Sequence, residues 1–201
     1  MIPVAMQPEP DDFEVKVRTP GRSFLRHVPR PSSKQFNKNS YWIECLPQLY
    51  VAYSGICAYS ACWLPMESSI DHFVPKTVDS NLAYEWRNYR LSSLRLNSYK
   101  RNRTDVLDPF HILPEWFTLN LTNLLVEPNI GLEPRIEANV RTTIEALKLN
   151  RDDFLVKLRF TVVRDYATGQ ISFEYLTARY PFIAYELDRQ NQREAIKAAF
   201  V

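Results

Sequence analysis

SIDHFVPK, residues 69–76, sets an aspartate beside a histidine in a short β-branched and aromatic run that stops at Pro75. Such a run predicts a strand over residues 69–74. Working outward, residues 77–82 are a polar loop, and YEWRNYRL (84–91) is aromatic and partly alternating, which predicts a second short strand. Ser92 and Ser93 suit a helix start. Residues 93–101 contain no glycine or proline and predict a helix on which Ser93, Asn97, Lys100 and Arg101 share a face through spacings of three and four. The order is strand, loop, strand, helix.

The flanks read differently. Residues 1–38 are rich in proline and basic residues with little periodicity and predict an extended arm. Leu46, Leu49, Tyr50 and Tyr53 then follow a helical rhythm, with Pro47 in the first turn and Gly55 past the end. Beyond Val106, Asp108-Pro109 and Leu113-Pro114 mark loop and turn. Helices are predicted over 133–147 and 152–163, a turn over 166–170, a further start at Ser172 and a last helix over 181–200. The expected organisation is an arm over 1–38, a core with its preceding helix over 39–110, and a helical region over 111–201. The fold class is α+β.

Composition narrows the function classes. With 201 residues, 45% of them hydrophobic, the chain can bury a real core. Its formal net charge of +2 says little, but the distribution is uneven. Residues 15–43 carry seven basic groups and no acid, and residues 86–103 carry six and no acid, so the surface is expected to be polarised. Three cysteines, Cys45, Cys57 and Cys62, with no secretory leader, suggest a reducing cytoplasm and small buried residues rather than a disulfide framework. The 22 uncharged residues from Cys45 to Met66 hold two prolines, a glycine and three tyrosines, and are read as core rather than as a membrane span. There is no glycine-rich phosphate loop, no GxSxG and no internal repeat.

The residues that carry chemistry are Asp71 and His72, Asn88, Asn97 and Lys100, separated from His72 onward by 16, 9 and 3 positions. Phosphodiester hydrolysis needs a base for water, a cation to offset charge on the phosphorane, and basic groups on the backbone. His72 is the natural base, because an imidazole accepts a proton near neutral pH. Asp71 and Asn97 offer oxygen ligands of the kind Mg²⁺ prefers. Neighbours on a strand point to opposite faces, so joint action by Asp71 and His72 calls for a twist or bulge there. Alone, Asp-His is an ordinary dipeptide.

In that order, IDHFVP, EWRNYRL and NSYK resemble the HNH, or ββα-metal, endonucleases over residues 57–103. The resemblance implies a ββα-metal core embedded in a mainly helical domain. It implies His72 as general base, Asp71 and Asn97 as ligands of Mg²⁺ or Mn²⁺, and Asn88 as the brace of the loop that holds His72. Lys100 and Arg101, joined by Arg95 and Arg87, are expected to hold DNA phosphates. Tyr84, Trp86 and Tyr89 are read as core rather than as base-stacking groups. His27 and His111 are left as surface or structural.

One departure from the family pattern matters. Many members bind a structural zinc through two cysteine pairs, whereas here Cys57 and Cys62 stand alone and Ser93 and Leu96 occupy the second pair. No structural zinc is expected, since two thiolates do not close a tetrahedral site. The likeness extends to small HNH subunits of bacterial anti-phage systems, implying DNA as substrate and an ATPase or other protein subunit as partner. The competing expectations are a catalytically weak HNH fold kept for DNA binding, or an assembly subunit.

Overall fold

Strands β1 (Ser68–His72) and β2 (Tyr89–Ser93) pair antiparallel, in unbroken register from Ser68 opposite Ser93 to His72 opposite Tyr89. Helix α4 (Leu94–Lys100) follows at once, and the Ser93 side chain accepts the Leu96 amide at its start. The second strand begins later than the expected Tyr84. Trp86–Asn88 form a 3-10 turn instead, with the side chains of Tyr84 and Trp86 buried. Arg101 ends α4 at φ 49°, which turns the chain out of the helix.

The computed structural model describes residues 1–65 and 68–200, so Met66, the last residue of the uncharged stretch, lies outside them. The chain divides into two compact units. One comprises Ala5–Cys57 and Leu64–Thr104; the other comprises Met1–Val4, Ala58–Trp63 and Asp105–Val201.

In the first unit, most of the expected extended arm is helical. A π-helical turn (Glu14–Arg18) runs into α1 (Thr19–His27), and α2 (Ser33–Lys38) begins at a reciprocal cap between Ser32 and Gln35. Phe13, Val17 and Gly21 recur every four residues and are all buried, a stripe interrupted in the sequence by Pro20 and Gly21. Neither breaks the helix. Pro20 lies in the first turn of α1, directly after the π-helical turn, and Gly21 lets the Tyr84 ring cross: a Cβ there would stand 2.1 Å from Tyr84 Cγ. A 3-10 turn (Tyr41–Cys45) leads into α3 (Leu46–Ala52), after which Gly55 takes φ 68°.

Edge-to-face and tilted pairs among Phe13, Phe36, Trp42, Tyr84, Trp86 and Tyr89 form the core of this unit. Hydrogen bonds anchor the polar tips, Tyr84 Oη to the Asn39 carbonyl at 2.7 Å and Trp86 Nε1 to the Gln7 carbonyl at 2.8 Å. Arg18 joins the leading segment to the loop before β2 through Glu9, Glu14 and Glu85.

The second unit holds an unforeseen hairpin, β3 (Phe117–Asn120) against β4 (Leu125–Pro128), followed by α5 (Pro134–Ala146), α6 (Asp153–Ala167), α7 (Phe173–Arg179), α8 (Pro181–Arg189) and α9 (Arg193–Ala198). Strands of four residues leave little alternation to read. Side chains from distant elements complete this hairpin: Glu186 accepts the Leu119 amide, Asn150 brackets Val126, and Arg159 donates to the Leu124 carbonyl. The predicted last helix breaks between α8 and α9 near Asn191, which has φ 53°. The whole is a mixed α+β fold, two small antiparallel sheets among helices. Among the described residues, no helix is long and apolar enough to cross a membrane.

Candidate functional site

Because β1 pairs without a bulge, alternation sends Asp71 and His72 to opposite faces. The Asp71 face meets α4. There Asn97 Nδ2 donates to Ser69 Oγ at 3.1 Å and to the Ile70 carbonyl at 3.2 Å, tying the helix to the strand. The carboxamide is held through its nitrogen, and its Oδ1 makes no hydrogen bond among the described residues.

Lys100, one turn further on, does not reach the surface. Its ammonium donates to Asp71 Oδ1 at 3.1 Å, to the His72 carbonyl at 3.0 Å and to the Phe73 carbonyl at 2.9 Å. An ammonium has three protons, and all three are engaged. The expectation that Lys100 holds phosphate therefore needs correcting: the i, i+3 step from Asn97 points it at the end of β1, where it neutralises Asp71 and closes two strand carbonyls. Arg101, expected on the same face, leaves it at the helix end, is exposed, and donates Nε to the Ser98 carbonyl.

His72 faces the aromatic core. Its ring stands edge-on to Trp42 at 4.8 Å and to Tyr89 at 5.2 Å between centroids. Nε2 lies 2.9 Å from the Ala83 carbonyl, which also accepts the Tyr89 hydroxyl at 2.9 Å. A carbonyl cannot donate, so Nε2 carries the proton and the lone pair of the neutral ring lies on Nδ1. Burial, then the charge of Lys76 and to a lesser degree that of Lys100, pushes the imidazole pKa down to about 3, against the opposing pull of the Ala83 carbonyl. The ring is neutral at pH 7.

Asn88 ties together the loop that follows β1. Its Oδ1 accepts the Val74 amide at 2.8 Å, and its Nδ2 donates to the Val74 carbonyl at 3.0 Å and the Leu82 carbonyl at 3.1 Å. Its own carbonyl takes the Phe73 amide. One buried side chain thus completes the backbone hydrogen bonding on both sides of the loop.

Arg87 and Arg95 are exposed, as a phosphate contact requires. Arg90, counted only as part of the basic run, is buried instead: Nη1 donates to the Arg87 and Tyr89 carbonyls at 2.8 and 2.9 Å, and its guanidinium lies 5.1 Å from the Phe73 ring centre. Its position opposite Asp71 in a strand pair was the available signal. Lys76 was also passed over, although it closes the very stretch that sets the fold. Its ammonium lies 4.9 Å from the Trp42 ring centre and 5.9 Å from that of Phe36.

Among the described residues, no group of three or more His, Cys, Asp or Glu side chains is placed to hold a metal ion. A hard cation would depend on the Asp71 carboxylate and the Asn97 carboxamide oxygen. The chemistry of those two donors suits Mg²⁺, with water and phosphate completing the shell, although Lys100 already occupies Asp71 Oδ1. Cys45, Cys57 and Cys62 are buried, and none of the three is in a disulfide. No protein-family model matches this chain, and no curated protein matches its sequence.

Proposed function

We propose that the protein is an HNH-type endonuclease that hydrolyses phosphodiester bonds of DNA, with His72 as general base. The observation that carries this reading is the bond from His72 Nε2 to the Ala83 carbonyl, which leaves Nδ1 of a neutral ring as the proton acceptor. Asn88 supports it by fixing the loop on which that carbonyl's neighbours lie. In the reaction, a water oxygen adds to phosphorus, its proton goes to His72 Nδ1, and the phosphorus–oxygen ester bond breaks with a solvent proton to the leaving oxygen. Asp71 and the open Asn97 Oδ1, on the face of β1 opposite His72, are the donors that would hold Mg²⁺ or Mn²⁺. For that charge to reach the phosphate attacked through His72, the end of β1 must twist so that both faces meet one phosphate. Arg87, Arg95 and Arg101 would position the strand from the surface. By the likeness described above, the protein would act in anti-phage defence with an ATPase or other partner subunit.

A second reading has its own observation. The Asp71 oxygen engaged by Lys100, together with the burial of His72, favours an HNH-like fold kept for DNA binding or assembly without efficient cleavage. Supercoiled plasmid incubated with the protein, His72→Ala and Asn97→Ala in Mg²⁺, Mn²⁺ or EDTA separates the two. Metal-dependent nicking lost in His72→Ala supports the nuclease. Nicking by His72→Ala at the unaltered rate removes this assignment, and DNA binding without nicking by any form favours the second reading.

A further inference from the structure

Lys76 is the one residue of the SIDHFVPK stretch whose charge the fold leaves unanswered. Its ammonium makes no hydrogen bond or ion pair among the described residues, although the side chain is half-buried. Its contacts are aromatic faces, Trp42 at 4.9 Å and Phe36 at 5.9 Å. Trp42 in turn stands 4.8 Å from the His72 ring, so one indole joins the two side chains. The backbone beside it is held: the Pro75 carbonyl accepts the Val78 and Asp79 amides, and Asn88 pins Val74.

A partly desolvated ammonium gains from an anion, because cation–π contact offsets only part of the lost hydration. Burial lowers its pKa, and Asp71 acts in the opposite sense without forming a pair within hydrogen-bond distance. We propose that Lys76 binds a non-bridging oxygen of the scissile phosphate beside His72, the role that the HNH resemblance implies for Lys100. This rests on the nuclease reading for the word scissile, but the phosphate contact itself can be tested apart from cleavage.

The experiment compares wild type, Lys76→Met and Lys76→Arg in two assays. Methionine keeps an apolar stem against Trp42 and removes the charge; arginine restores the charge. Plasmid nicking is followed in Mg²⁺ and Mn²⁺, and the affinity for a fluorescein-labelled DNA duplex is measured in EDTA across a salt series. Lys76→Met is expected to nick on the order of 10²-fold more slowly, with Lys76→Arg recovering part of the loss. The slope of log affinity against log salt is expected to fall by about 0.9 in Lys76→Met, the release of counterions at one phosphate. Wild-type nicking by Lys76→Met overturns the proposal, and slower nicking with an unchanged salt slope overturns it too, reducing Lys76 to packing. Should wild type nick nothing, the nuclease reading fails by itself, and the slope alone decides: a fall retains Lys76 as a phosphate contact, and no change removes it.

Discussion

Lys100 Nζ lies 3.1 Å from Asp71 Oδ1, with 0% and 2% of the two side chains exposed, and the same ammonium closes the carbonyls of His72 and Phe73. The pair therefore locks the C-terminal turn of α4 onto the end of β1. Removing Lys100 strips the buried Asp71 carboxylate and the His72 and Phe73 carbonyls of a shared ammonium, which costs far more than the intact pair contributes. Lys100→Ala should destabilise the protein by about 3–5 kcal/mol in urea unfolding. A loss below about 1 kcal/mol, the size for a surface pair, would place Lys100 in solvent instead.

Asn88→Ala would unpair the Val74 amide and carbonyl and the Leu82 carbonyl together. Buried groups left without partners cost about 1–3 kcal/mol each, less where water enters, so a loss on the order of 3 kcal/mol is expected. Asn88→Asp should lose more than Asn88→Ala, because it keeps the acceptor for Val74 but turns a buried carboxylate oxygen towards the Val74 and Leu82 carbonyls. Unfolding midpoints of the three proteins check the order.

The buried His72 makes stability depend on acid. Its folded pKa of about 3 lies below the unfolded value of about 6.5, so between them the unfolded chain binds a proton that the native one does not. The contribution is complete above pH 6.5 and is lost as pH falls towards 3. From pH 7 to pH 5, wild type should lose about 2 kcal/mol more than His72→Gln, at most about 1.4 kcal/mol per pH unit inside that window. Equal acid sensitivity of the two proteins would show that His72 is solvated.

Gly21 touches the centre of the Tyr84 ring, where a Cβ would stand 2.1 to 2.5 Å from three ring carbons. The ring is boxed in by Phe24, Tyr41 and Trp42 and cannot swing clear. Gly21→Ala should therefore destabilise by about 1–3 kcal/mol, despite the better helix propensity of alanine. A stabilised variant would mean that α1 does not pack there.

The site was partly readable beforehand, and the reasons differ by residue. The strand–loop–strand–helix order could be read because Pro75, Ser93 and the aromatic run act on their immediate neighbours. Burial of Tyr84, Trp86 and Tyr89 likewise followed from their size and apolar character. The helices at 14–27 were hidden because Pro20 and Gly21 look like breakers, and only the Tyr84 ring reveals why a glycine is needed. Lys76 was hidden because one lysine after a proline has no local signature.

Local chemistry, then, determined where the elements of the hairpin and helix start and stop, since capping, proline and alternation work over a few residues. Tertiary structure decided what each polar side chain does. Lys100 and Asp71 are 29 positions apart, and whether that lysine meets a phosphate or a buried carboxylate depends on how α4 lies across β1. His72 and Ala83, 11 positions apart, fix the tautomer in the same way. Such contacts are chosen by the packing of the whole core, and no short window of sequence contains the energy that selects them.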